Sequence, residues 1–364
     1  MKPLKKLTYK LAITLSMLLG LAGSMYAQEK IHPQINKIYL TSYVDNQTCS
    51  TKPKNTTLEN KVNLNLVAET QKDGKTFYFS KSKNLCLNGE KVDTSKILSW
   101  TPDDLSIKWF KVESERDSYN NGGRDYFRWD TPTYKETLID TNKWIIEADA
   151  HPTEKFKDIN NGLGTMRYKV QIIHNGKKLS TPGKESTNTQ GIKKDVHRVS
   201  FRKDDSFIGW LTSFFNLPYI YGSEGKNLAN HQAENYVGAD CADLLVAAYR
   251  KTGKNNPYTY AVGLRDFTNV ILKQENLRTN GENYYDRQKL LKFGEDIKKG
   301  DLILFGRYHV GSIVEDRSDP NGKYGGQADG IFNKYDLMIH TLFDVPKKEG
   351  FTDQGPFSIL RWKN

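Results

Sequence analysis

From about residue 36 to 205 the chain alternates short strand-like runs with polar turns: NKIYLTSY, KVNLNLVAE, KTFYFSK, LSIKWFKVE, KWIIEADA, TMRYKVQIIHNGKKLST and VHRVSFRK. Period-two alternation sends successive side chains to opposite faces of a strand. No long helical period interrupts it. Strands spaced in this way predict an antiparallel β-sandwich. Asn175-Gly176 supplies a hairpin turn, because that pair accepts the positive φ values a tight turn requires. The stretch 183–200, GKESTNTQGIKKDVHRVS, is polar and rich in Gly, Ser and Thr, and reads as an interdomain linker or a long edge loop.

Beyond it the pattern changes. DDSFIGWLTSFFN has acids at its start and apolar residues at helical spacing, which predicts a helix. A second helix is predicted from Asp240 to Gly253: Asp240 caps it, Gly253 ends it, and Cys241, Leu244, Leu245 and Ala248 fall at i, i+3, i+4 and i+7. GDLILF, HVGSIVED and DLMIHTLF then read as three strands. Helices followed by strands give an α+β order. The expected division is a signal peptide at 1–27, a β-sandwich domain at 28–195 and a second domain at 196–364.

The signal peptide rests on MKPLKKLTYKLAITLSMLLGLAGSMYAQEK, four lysines before an apolar run from Leu11 to about Gly23, with cleavage expected after Ala27 or slightly earlier. The run is shorter than the roughly 20 apolar residues a spanning helix needs. The expectation is an exported protein, periplasmic or secreted, without a transmembrane anchor. Loss of those four lysines lowers the net charge from +11 to +7, a balance that favours polyanions such as wall polymers or serves solubility alone. Nucleic acid is not among the expected partners. There is no HExxH, no CxxC and no phosphate-cradling glycine loop, so neither a cofactor nor a metal is expected, and DPNG at 319–322 reads as a turn.

Three cysteines leave one over if two pair. Cys49 and Cys86 lie in polar, turn-rich surroundings and are expected to form a disulfide, which leaves Cys241 as the unpaired thiol. A cysteine heading the apolar face of a helix is often simply packed. In the first helical turn, however, it sits beside unpaired N–H groups and the positive end of the helix dipole, which favour thiolate and can hold an oxyanion. His309 projects from a strand whose next residue on that face is Gly311, leaving no side chain to hold a helix away. His340 comes from the following strand and can orient His309.

The order LPYIYGS, GADCADLLVAAYRKTG, KKGDLILF, HVGSIVED, DLMIHTLF resembles the NlpC-type cell-wall cysteine peptidases over about residues 205–345. That resemblance implies a papain-like second domain. It makes Cys241 the nucleophile, His309 the general base and acid, His340 the residue that orients it, and Tyr219 a helper at the oxyanion or substrate. Tyr219, Asp240 and Asp243 form the expected substrate-binding and oxyanion set. Ala242-Asp243 stands where the family usually has Ser-Gly, and Asp243 is either a selector of cationic substrate or a solvated first-turn residue. The hairpin around Asn175-Gly176, with Trp109, resembles immunoglobulin-like domains. The implied activity is hydrolysis of amide bonds in peptidoglycan stem or cross-link peptides through a thioester, with an envelope partner met through the first domain. The alternatives are an acyltransferase using the same thiol and a catalytically silent binding or adhesion protein.

Overall fold

A computed structural model describes residues 34–363 apart from 45–48, 83–84, 88, 99–101, 103, 122–129, 155–159, 223–230, 319–325 and 351–354. The expected signal peptide and the DPNG turn lie outside the described residues. Of the described residues 46% are in strands and 11% in helices, so the fold is mainly β. This corrects the α+β class and the papain-like second domain expected from sequence. The helix predicted at DDSFIGWLTSFFN runs only from Phe207 to Thr212. It is not extended because Asn216 takes φ +70° and Pro218 follows. The stretch between Gly253 and Leu302 folds as short 3-10 turns and strands.

In the first half, one sheet runs in the order Ile35–Val44, Val62–Lys72, Lys75–Phe79, Ile97–Leu98, with Ile145–Ala148 also paired to Val62–Lys72. The second sheet has the order Tyr134–Thr141, Ser106–Ser114, Gly164–His174, His197–Arg202, Lys54–Thr57, and Lys177–Ser180 pairs with Gly164–His174. Alternation selects what faces inward. Val62, Leu64, Leu66 and Ala68 from the first sheet meet Ile107, Trp109, Met166, Tyr168, Val170 and Ile172 from the second. Trp109 is fully buried, and its indole N–H donates to the Lys143 carbonyl at 2.7 Å, so burying the ring leaves no orphaned donor.

Two details depart from the expected antiparallel arrangement. Lys54–Thr57 pairs parallel with His197–Arg202, and Ile97–Leu98 pairs parallel with Lys75–Phe79. The stretch that reads as a linker carries a small ladder, Thr187–Asn188 against Gly191–Ile192, and then His197–Arg202, a strand inside the first-half sheet. Ile192 and Val196 are its hidden apolar content, both buried against the second half. Asn175 and Gly176 take φ +49° and +72° between the paired residues His174 and Lys177.

The second half is built on a six-stranded sheet, Thr268–Leu272, Phe357–Trp362, Leu302–Phe305, His309–Glu315, Leu337–His340, Lys347–Gly350, antiparallel throughout. The helix Cys241–Lys251 packs on the face that carries Leu302, Leu304, Val310 and Ile339. Ile303, Phe305, Ile313 and Met338 point the other way, into a core closed by Leu272, Tyr284, Leu291 and Phe332. A sheet covered on both faces needs continuous apolar runs, which is why LILF shows no alternation. No helix among the described residues is long and apolar enough to cross a membrane.

The halves are sewn together. Tyr219–Ile220 pairs parallel with Asn120–Asn121, the Tyr219 N–H donates to the Tyr119 carbonyl at 2.8 Å, and Val112, Tyr134, Ile192, Val196, Ile220 and Val237 form a shared apolar cluster. At Gly164, φ +124°, an added Cβ would come within 2.7 Å of the Phe215 carbonyl oxygen, so the close approach of the two halves there requires glycine.

Candidate active site

Asp240 begins the helix Cys241–Lys251 as its N-cap. One carboxylate oxygen accepts from the N–H groups of Ala242 at 3.0 Å and Asp243 at 2.8 Å, and the other from Gly222 at 3.2 Å. Those bonds define its role as a structural cap. The N–H that the cap does not use is that of Cys241. The thiol itself is 6% exposed. Its Sγ lies 3.9 Å from the Tyr308 carbonyl oxygen and is also approached by the Val310 N–H, so it rests on the backbone to either side of His309. Burial, then the Asp240 carboxylate, pushes this thiol well above its ordinary value. The helix-terminal effect expected to favour thiolate is therefore outweighed in the resting site.

His309 opens its strand opposite Phe305, and the two rings stack with centroids 5.8 Å apart. Its neighbours on that face are Gly311 and Ile313, while the helix packs on the Val310 face. The space expected to admit the helix at Gly311 is used differently: an added Cβ would meet Met338 Sδ at 3.0 Å and His340 Cβ at 3.1 Å. The glycine makes room for the second histidine. His309 Nε2 and His340 Nδ1 are 2.7 Å apart, and His340 Nε2 lies 2.7 Å from Glu349 Oε1.

The order of these bonds sets the tautomers. Burial pushes the Glu349 carboxyl up, but the hydrogen bond and charge from His340 and the charge of Lys347, 3.1 Å away, outweigh it and hold the group below its ordinary value. As an ionised acceptor it accepts a hydrogen bond from His340 Nε2–H. The 2.7 Å contact between His309 Nε2 and His340 Nδ1 carries one proton, and with that proton on His309 the ring's Nδ1 is left as the acceptor. That Nδ1 is buried and has no hydrogen-bond partner among the described residues. Burial, then His340, lowers His309 to about 3, so the ring is neutral across the physiological range.

Tyr219 is buried beside this centre, its ring edge-on to Phe343 at 5.3 Å and its hydroxyl raised by burial and by the nearby Asp240 and Cys241. Asp243, expected at a substrate or in solvent, does neither. It is buried, with Oδ1 3.7 Å from His231 Nε2, and His231 in turn stacks on Tyr258. Tertiary packing at the back of the helix overrides the first-turn expectation. Cys49 and Cys86 are both buried and free: Cys49 Sγ lies 3.9 Å from the Cys86 carbonyl oxygen and bonds the Cys86 side chain, so the two thiols meet without the expected disulfide. Burial, then Cys86, pushes Cys49 up to about 12.

Glu349 was not foreseen from sequence. Its signal is faint: in PKKEG, Lys347 and Glu349 share a strand face, and hairpin register places Lys347 opposite His340 and Glu349 opposite Met338. The geometry thus links His309, His340 and Glu349 side chain to side chain, sets Cys241 near Tyr219 and against the backbone flanking His309, assigns Asp240 to the helix cap and turns Asp243 away. Comparison of the chain with protein-family models, with curated proteins and with solved structures finds no match.

Proposed function

We propose that the protein is a cysteine hydrolase that cleaves amide bonds through a thioester, its motif order resembling that of the NlpC-type cell-wall peptidases. The observation that carries this reading is the file Glu349, His340, His309, which ends in a buried Nδ1 with no partner among the described residues, on the strand whose backbone touches the Cys241 thiol. A lone packed cysteine has no use for such a file. A base that must gain and pass on a proton does.

In this mechanism the resting pair is neutral thiol and neutral imidazole. No Cys241 to His309 hydrogen bond is in place, and catalytic bonds of this kind commonly tighten only when substrate closes the site. His309 Nδ1 then takes the thiol proton, and the sulfur attacks the amide carbonyl carbon. The oxyanion is held by the Cys241 N–H, which the Asp240 cap leaves unused, and by the Tyr219 hydroxyl. His340, backed by Glu349, stabilises the imidazolium, which protonates the leaving amine. Water, deprotonated by His309, then resolves the thioester. Export, peptidoglycan stem or cross-link peptides as substrate, and docking of the first half on an envelope partner belong to the same proposal. Purified peptidoglycan fragments incubated with the protein and with Cys241→Ala test it by mass spectrometry. New amide-cleavage products from the parent alone are expected, and identical products from both proteins would remove Cys241 from the mechanism.

The burial of Cys241 and its raised thiol favour one competing reading, a silent binding protein in which the sulfur is only packed. Iodoacetamide separates the two. A silent thiol is alkylated equally fast in the parent and in His309→Ala, whereas a thiol served by a base slows when the ring is removed.

A further inference from the structure

Buried cations are ordinarily paired with carboxylates, since an isolated buried charge is costly. The first half follows this rule at its lysines: buried Lys111 lies 2.5 Å from Asp149, and buried Lys169 lies 2.9 Å from Glu136 and 3.0 Å from Glu185. It breaks the rule at two arginines. Arg167 and Arg198 stand directly opposite one another on neighbouring strands and are only 6% and 8% exposed. Their partners are neutral. Arg167 donates to the Tyr236 carbonyl, while Arg198 donates to Asn55 and Ser200 and lies 4.0 Å over the Tyr236 ring. Neither forms an ion pair with a carboxylate among the described residues, and like charges across a ladder oppose each other.

Arg167 also lines a cavity of about 270 Å³ between the halves, with Arg116 on one wall and Lys347 on the other. Two acids share the lining, but both are already engaged. Glu113 accepts from the N–H and hydroxyl of Thr153, and Asp344 accepts from the Val345 N–H at 2.8 Å and lies 3.9 Å from Lys347. The lining carries Arg116, Arg167 and Lys347 against Glu113 and Asp344, with Lys347 also paired to Glu349. What sets it apart is the buried Arg167 guanidinium without a carboxylate among the described residues, planar and suited to a two-oxygen acceptor, beside the polar side chains Asn160 and Thr165.

We propose that this cavity is a binding site for a carboxylate group, supplied either by the end of a short peptide or by a free small carboxylate. The site lies outside the thiol chemistry. It is tied to it by one residue, Lys347, which reaches from the cavity wall to Glu349.

Calorimetric titration of full-length Cys241→Ala tests the proposal without any dependence on turnover. The probes are Nα-acetyl-alanyl-alanine, its C-terminal amide, and acetate. The acid peptide is expected to bind at least about tenfold more tightly than the amide, about the value of one charge-assisted contact. That preference should fall in Lys347→Met and in Arg167→Gln, with Lys347→Met deciding the matter if the buried arginine variant does not fold. Acid peptide binding more tightly than acetate identifies a peptide end as the source, and acetate binding as well or better identifies a free carboxylate. Equal binding of acid and amide, no binding of any probe at millimolar concentration, or a preference unchanged in the variants overturns it. Failure of Cys241 to hydrolyse peptidoglycan leaves this titration unaffected, so the two readings fail separately.

Discussion

Two buried histidines, one in each half, share a depressed pKa and one bonded ring nitrogen, and differ in what stands behind them. His197 in the first-half sheet bonds the Thr51 carbonyl through Nδ1 at 3.3 Å and leaves Nε2 without a partner among the described residues. His309 bonds His340 through Nε2 and leaves Nδ1 without one. Burial lowers both, the first to about 4 and the second to about 3. A depressed, half-satisfied imidazole is therefore no mark of catalysis by itself. His197 leans on a neutral carbonyl that can take up no charge, whereas His309 is backed by a second ring and a carboxylate and stands on a strand that touches a thiol.

The contrast is broken most strongly at the sulfur. Cys241→Ala is expected to lower amide cleavage by at least about a thousandfold while the thermal unfolding curve barely moves, because a buried thiol is replaced by a residue of nearly the same shape. Trp109→Ala should do the reverse. It is expected to cost about 3–5 kcal/mol in urea unfolding by opening the sandwich core, with an unchanged pH profile for the molecules that remain folded.

Glu349→Gln strikes at what distinguishes the two histidines. A drop of about a hundredfold in kcat is expected, with partial recovery in Glu349→Asp, since the amide cannot stabilise the imidazolium that forms on His309. A variant that retains full kcat would show that the file is only structural.

The smallest effects concern pH. His309 becomes protonated only as pH falls towards about 3, so the acid limb of kcat/KM should lie far below the value near 6.5 of an ordinary imidazole. For His197 the linkage is to stability. Its folded value is depressed, so its contribution is full above about 6.5 and is lost as pH falls towards about 4, where the unfolded chain takes up a proton that the folded chain refuses. Between pH 7 and 5 the parent should lose about 2 kcal/mol relative to His197→Asn in urea melts. Parallel losses in both proteins would assign the acid sensitivity to other groups.

Local signals served best where a side chain's role is decided within a few residues. The helix Cys241–Lys251 was legible from its Asp240 cap, its apolar spacing and Gly253, which does take φ +88°. The strands carrying His309 and His340 were legible from their apolar content. What depends on register or on distant packing was hidden. Glu349 reaches His340 only through hairpin pairing, Asp243 is claimed by His231 from another segment, and the face of Gly311 is filled across the sheet and not by the helix. The polar tract at 183–200 misled because two apolar residues, Ile192 and Val196, sufficed to bury it against the other half. The stretch between Gly253 and GDLILF, for which no element is predicted, adds 3-10 turns and strands and shifts the class towards β.

The four-residue ladder that joins Asn120–Asn121 to Tyr219–Ile220 limits how this architecture can be rearranged. Its hydrogen bonds position the backbone of Tyr219, which stands beside the sulfur. A gene fusion that replaced the N-terminal half would have to bring an equivalent edge in the same register, or Tyr219 would lose its anchor. The two halves are thus inherited as a matched set and not as interchangeable cassettes.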